Sequence, residues 1–190
     1  MLTSQFSNRF RLLSIFFILS TGTPVFALPQ PTELLDRNSQ ITAQLAISQW
    51  QRVNLDANSS IMLPGSASTT ADGVEGVHNG VGYFANSTSL DTEIIQKCAV
   101  LNCEIVLGLM LREIAQEQRF TLEDTNPIPV NSQEYPANGI EFLAKDADSN
   151  SQLKGRIYLV GNRLYMLGAG TNNEYFDNET SIFLDSLSLI

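Results

Sequence analysis

The segment Arg156-Ile-Tyr-Leu-Val-Gly-Asn-Arg-Leu-Tyr165 limits the fold of this chain more than any other. Gly161-Asn162 separates two runs rich in β-branched and aromatic residues, the pattern of a hairpin with a two-residue loop. With that loop, Val160 faces Arg163, Leu159 faces Leu164, Tyr158 faces Tyr165 and Ile157 faces Met166. Successive side chains of a strand point to opposite sides, so Ile157, Leu159, Leu164 and Met166 share one face. Tyr158, Val160 and Tyr165 share the other, with Arg156 and Arg163 toward its ends. Both faces are largely apolar. A strand pair with one wet side would alternate apolar with polar, so this hairpin is expected inside a sheet covered on both sides.

Two segments can supply the cover. After Asp91 or Thr92 as a cap, apolar residues recur at helical spacing: Ile94, Ile95, Cys98, Ala99, Leu101, Ile105, Val106, Leu109, Met110 and Ala115. The charges Glu104, Arg112, Glu113, Glu117 and Arg119 lie mostly off that stripe, which is expected to lie against a sheet. Asn102 is placed to kink or split the run, because its side chain competes for backbone hydrogen bonds. A second helix is expected over Glu174 to Leu187, with Phe176, Ile182, Phe183 and Leu187 as its apolar positions. Strands are expected at Trp50 to Val53, Ser60 to Leu63, Val81 to Ala85, Phe120 to Glu123, Gly139 to Asp146 and Leu153 to Val160. Gly73 to Gly82 reads as a glycine-rich loop or bulged strand that carries the only histidine, His78, in solvent. The expected fold class is α+β, a mostly antiparallel sheet covered by helices on both faces, in a single domain over residues 50–190.

The front of the chain reads differently. Arg9 and Arg11 precede the apolar run Leu12 to Leu19, and Val25-Phe26-Ala27 sets small residues at the −3 and −1 positions of a cleavage site. Residues 1–27 are therefore expected to be a cleaved secretory signal peptide. The run is far short of the ~20 apolar residues that span a bilayer, so no stable membrane span is expected after cleavage. Residues 28–49, opening Leu28-Pro29-Gln30-Pro31, read as a tether. The expected localisation is exported: periplasm, thylakoid lumen or the extracellular space.

Charge and composition exclude several function classes. The 190 residues carry 11 Lys and Arg against 20 Asp and Glu, a net charge of −9. An acidic surface is repelled by a phosphate backbone, so no nucleic-acid partner is expected. One histidine excludes every site that needs two His ligands. No serine or cysteine sits in a nucleophile-elbow setting such as GxSxG. Neither catalytic residues nor cofactors are expected.

Two local patterns remain. Cys98 and Cys103 are five residues apart, and in an exported chain two cysteines either pair or stay buried as free thiols. Residues i and i+5 of a straight helix point about 140° apart and sit roughly 7–8 Å from each other. A bond therefore requires the helix to begin near Cys103 or to break at Asn102. Asp146, Asp148 and Asn150 imitate the start of a calcium loop, but Ser151 and Ile157 stand where such a loop needs glycine and glutamate. They are weak metal candidates, and an Asx-type hairpin turn is the expected structure.

Several of these segments together resemble a family. Ser60-Ile-Met-Leu-Pro-Gly65 is similar to the "F-S-V-x-L-P-G" strand of exported bacterial domains of unassigned function. Tyr135-Pro136 with Gly139-Ile140-Glu141 resembles their "Y-P-G-x-E" segment, with extra residues inserted. Arg156 to Tyr165 looks like their hairpin, and Phe183-Leu-Asp-Ser-Leu-Ser-Leu189 like their closing "F-L-D-S-F-x-L". Those domains resemble the PsbP family, which implies an α/β/α sandwich around an antiparallel sheet and brings no catalytic residue. The family's part as an accessory subunit on a membrane complex is fold-level analogy here. The resulting expectation is a non-catalytic exported accessory domain that docks to a protein partner or membrane complex. The alternative is a small-ligand or weak calcium-binding module.

Overall fold

The computed structural model describes residues 50–70, 73–130, 137–146, 148–172, 176 and 178–189. The expected signal peptide and tether, and the Tyr135-Pro136 motif, lie outside the described residues. In chain order the elements are β1 (Trp50–Asp56), β2 (Ser59–Pro64), β3 (Ser66–Thr70), β4 (Gly73–His78), β5 (Val81–Ser89), α1 (Thr92–Leu101) and α2 (Cys103–Glu117). They continue as β6 (Phe120–Ile128), β7 (Ala137–Asp146), β8 (Gln152–Val160), β9 (Arg163–Thr171), α3 (Asn178–Leu184) and β10 (Ser188–Leu189). Seven strands form one antiparallel sheet in the order β3-β4-β5-β9-β8-β7-β6, and β1-β2-β10 form a second, smaller one.

The β8–β9 hairpin has the register read from its turn, with Val160 opposite Arg163, Leu159 opposite Leu164, Tyr158 opposite Tyr165 and Ile157 opposite Met166. Each of its faces enters a different core. Ile157, Leu159, Leu164 and Met166 join Val106, Leu107, Met110, Leu111 and Ile114 of α2 under the helices. Tyr158, Val160 and Tyr165 join Ile61 and Leu63 of β2 and Phe183 and Leu184 of α3. Tyr158 is 6% exposed and Tyr165 2%. Both faces of the hairpin are covered, as the apolar composition of each requires.

The second face carries less helix than expected. It is roofed mainly by the small sheet, with α3 as a two-turn helix beside it. α3 is also shorter than the expected helix over 174–187. Its last turn closes when the Ser186 hydroxyl donates to the Phe183 carbonyl at 2.7 Å and accepts the Met62 N–H at 3.0 Å. The chain then leaves as β10, which pairs with β2.

Gly73 to Gly82 is not a loop but most of a hairpin. Asn79-Gly80 takes positive φ at both positions, 50° and 77°, which closes β4 onto β5 as a two-residue turn does. His78 consequently ends a strand and packs against Glu179 of α3, its Nε2 3.5 Å from Oε2, instead of lying free in solvent. β6 runs on through Pro127, tolerable because β6 is the last strand of the sheet and its outer N–H groups need no partner there.

A row of paired residues crosses the middle of the large sheet, Phe84, Gly168, Gly155 and Phe142 on β5, β9, β8 and β7. A side chain on either glycine would collide with the neighbouring ring. The two phenylalanines therefore fold inward over bare backbone and fill the space beneath α2.

Candidate functional site

The helical cover of the first face is where the structure departs most from its periodicity. Asn102 adopts φ 80°, ψ 128°, which ends α1 at Leu101 and lets α2 begin at Cys103. Its side-chain oxygen accepts the Glu104 N–H at 3.0 Å, so the residue that breaks the first helix caps the second. Cys98 and Cys103 are bonded across this break, their Cα atoms 4.1 Å apart. A straight helix would not permit the bond, and the break at Asn102 supplies the required geometry.

The break also resets the helical phase. α1 buries Ile94 and Cys98, but α2 buries Val106, Leu107, Met110, Leu111, Ile114 and Ala115. At 100° per residue, the buried arc of α2 is turned about 170° from the one that an unbroken helix would continue. Leu101, Ile105 and Leu109, expected against the sheet, point to water instead. Leu107, Leu111 and Ile114 take their places. The stripe read from the sequence thus splits at Asn102, with Ile94, Cys98, Val106, Met110 and Ala115 buried as expected and Leu101, Ile105 and Leu109 not.

The result is an exposed apolar strip. Among the described residues the exposed large apolar side chains are Val77, Val100, Leu101, Ile105, Leu109 and Ile182, and four of the six sit on α1 and α2. Val100 is 82% exposed, and Ile105 and Leu109 are each 55% exposed. Val100 and Leu101 lie in the loop closed by the disulfide, and Ile105 and Leu109 follow one turn apart on α2. Glu104 and Arg112, both exposed, bracket the α2 part of the strip. Neither side chain forms an ion pair among the described residues.

The charged groups of the second face have a different occupation. Arg156 donates through Nε to Glu141 at 2.7 Å and through Nη1 to Asp185, just beyond α3. Burial lowers the pKa of this guanidinium, but its bonds to Asp185, Tyr158 and Glu141 outweigh that and raise it. The Tyr158 hydroxyl donates to the Leu184 carbonyl at 3.3 Å, and burial raises its pKa above that of an exposed tyrosine. Arg163 donates to Asp56 at 2.9 Å and to Ser87 at 3.3 Å, tying the start of β9 to the small sheet. These groups latch the roof to the sheet.

The weak metal candidates form the Asx turn. Asp146, 7% exposed, accepts the Asp148 N–H at 2.7 Å through Oδ1, and its own N–H donates to Ser151 at 2.9 Å. Asp148 lies 3.3 Å from Arg119, and Asn150 is exposed. Among the described residues no three His, Cys, Asp or Glu gather into a group that could hold a metal ion. An open cleft of about 520 Å³ lies between the end of α2 and β6, lined by Arg112, Gln116, Phe120, Thr121, Glu123 and Asp124 among others. Its two acids are engaged, Glu123 with Lys145 at 3.6 Å and Asp124 with Asn126 at 2.9 Å. Phe176 packs half-buried on the second core. No helix of the described residues is long and apolar enough to cross a membrane.

No family model and no curated protein matches the sequence. Among solved structures, the chain is similar to the solution structure of cyanobacterial PsbP (CyanoP) from Synechocystis sp. PCC 6803. The match has a TM-score of 0.55 at 10% identity and covers 76% of this chain and 94% of that one. At that identity the likeness concerns architecture: the chain has a PsbP-like mixed α/β fold built on antiparallel sheets.

Proposed function

We propose that this chain is a non-catalytic exported accessory domain that works by docking to another protein, and that it docks through the strip Val100, Leu101, Ile105 and Leu109. The observation that carries the reading is the phase change at Asn102. The chain has enough apolar residues on α2 to bury one face against the sheet, and it still holds a second apolar set outward. Large side chains gathered in this way, with polar neighbours, are a feature of protein-binding surfaces. The disulfide supports both parts of the proposal. It fits an oxidising compartment, and it fixes the turn that presents Val100 and Leu101. The acids of the α2–β6 cleft are held by neighbouring side chains, which favours docking over catalysis there.

The test is site-specific photo-cross-linking in the extracytoplasmic fraction of the native cell. A photoreactive residue at position 105 or 109 is expected to capture a discrete protein adduct, and one at Ser68, on the polar edge strand β3, is expected to capture none. Equal yields from all three positions, or no adduct from 105 and 109, would refute the reading.

A further inference from the structure

We infer that the partner docking on α2 contributes a short extended segment that adds to the outer edge of β6 as an extra strand, with one acidic side chain turned toward Arg112. This rests on the reading of α2 as the docking helix and names the chemistry of what docks there. The cleft between α2 and β6 carries the inference. Its β6 side is formed by six residues in a row, Phe120 to Thr125. Successive side chains of a strand point to opposite sides, so a cleft lined by all six follows the edge of the strand and not one of its faces. That edge is open among the described residues, because β6 is the last strand of the large sheet and pairs with β7 alone. An extended peptide completes such an edge through its main chain and is selected by its alternate side chains. Phe120 to Thr125 give room for about five residues of extended chain. Pro127 and the bulge at Glu123 deny the edge to long, flat strands, which keeps the added segment short.

The charges select what the segment carries. Phe142 and Ala144 of β7 face α2 in the first core, so Leu143 and Lys145 face away from it. Asp124 stands opposite Leu143, and Glu123 pairs with Lys145, so both acids of the cleft are engaged away from α2. On the helix, Glu113 and Glu117 stand about 100° and 140° around the axis from Arg112, and Glu104 is about two turns away. Arg112, exposed and without an ion pair among the described residues, is thus the charge that α2 presents to the cleft. The net charge of −9 opposes a second acid on the segment.

The cleft also continues the docking strip. Arg112 and Gln116 line it, and with Ile105 and Leu109 they fall within about 60° of arc on α2. Ala115, Phe120 and Leu122 border both the cleft and a small apolar gap in the first core beneath it. An apolar residue two positions from the acid shares its side of an extended segment and meets this floor.

NMR titration of the ¹⁵N-labelled full exported chain tests this with the capped heptapeptide Thr-Val-Thr-Glu-Thr-Val-Thr and a twin that has Lys in place of Glu. The acidic peptide is expected to bind with a dissociation constant of about 1 mM or below and to shift the amides of Phe120 to Thr125. The Lys twin is expected to bind about fivefold more weakly. Arg112→Glu is expected to reverse the order of the two peptides, which a merely damaged fold would not do. A proline in a ladder keeps its nitrogen on the outer side, so Thr125, two residues before Pro127, turns its N–H outward. Thr125→Pro therefore removes an outer donor, leaves the β6–β7 ladder in place, and is expected to weaken both peptides about tenfold. No shifts at β6 up to about 5 mM peptide, equal binding of the two peptides, or binding that Thr125→Pro leaves intact overturns the inference. If that happens while positions 105 and 109 still capture a protein adduct, the added strand fails and the docking reading stands. If the peptides bind as expected while 105 and 109 capture nothing, the docking strip fails and the edge site stands alone.

Discussion

Phe183 offers the most direct way to weigh the roof over the second face. The ring is fully buried, and it meets Tyr83 of β5 edge-on, with centroids 5.1 Å apart and planes at 71°. It sits on α3, seven residues long, too short to stay helical without packing. Phe183→Ala removes the buried ring, worth about 2–3 kcal/mol in transfer alone, and the edge-to-face contact, worth a further 0.5–1.5 kcal/mol or so. A residual cavity adds to this, which places the total at about 3–5 kcal/mol. For a chain of this size that corresponds to a loss of roughly 10–15 °C in Tm. Ile182→Ala, on the half-exposed side of the same helix, is the matched control and is expected to cost under about 1 kcal/mol. The assay is urea unfolding followed by far-UV circular dichroism. A Phe183→Ala loss below about 1 kcal/mol, or a loss equal to that of Ile182→Ala, would show that α3 does not close the second core.

Other outcomes follow from the same packing. Gly108 lies in the middle of α2, where a methyl group would meet only Ile140 Cδ1 at 3.9 Å, so Gly108→Ala is expected to stabilise the chain by about 0.5–1 kcal/mol in urea unfolding. Replacing both Cys98 and Cys103 by serine opens a short loop and is expected to cost about 2 kcal/mol, with unchanged stability as the contrary result. Burial alone would raise the Asp56 carboxyl, but the hydrogen bond from the Asn58 N–H, the nearby Ser59 and Ser87 hydroxyls and the Arg163 charge together hold its pKa below the usual value. The folded state thus binds that proton less readily than the unfolded one, so Asp56 contributes stability above about pH 4 that disappears as the pH falls through its folded pKa. Asp56→Asn is expected to flatten that part of the acid limb of stability against pH, and an unchanged limb would contradict the assignment.

The hairpin at 156–165 was legible in full because a two-residue turn fixes register, and register fixes faces. The same reasoning was available at Asn79-Gly80, where an Asn-Gly pair closes β4 onto β5, but glycine at 76 disguises the alternation that buries positions 74 and 76 and turns Val77 outward. The apolar strip was not legible. Periodicity over 94–115 supports one continuous helix, and the residues that become exposed, Ile105 and Leu109, lie at the centre of that stripe. Only the positive φ at Asn102 turns them outward, and two sequence signals pointed to such a break, Asn102 itself and the Cys98–Cys103 spacing. The small sheet as roof was hidden for another reason. Its β10 is two residues long and pairs with β2 across most of the chain, a contact without local signature.

Hydroxyl-radical footprinting of the native protein, read residue by residue, tests most directly whether the sheet is covered on both sides while α2 turns an apolar set outward. Tyr158 and Tyr165 should be strongly protected relative to the unfolded chain, whereas Ile105 and Leu109 should be oxidised at rates near those of exposed side chains. Fast oxidation of the two tyrosines, or protection of Ile105 and Leu109 in dilute monomer, would contradict the account.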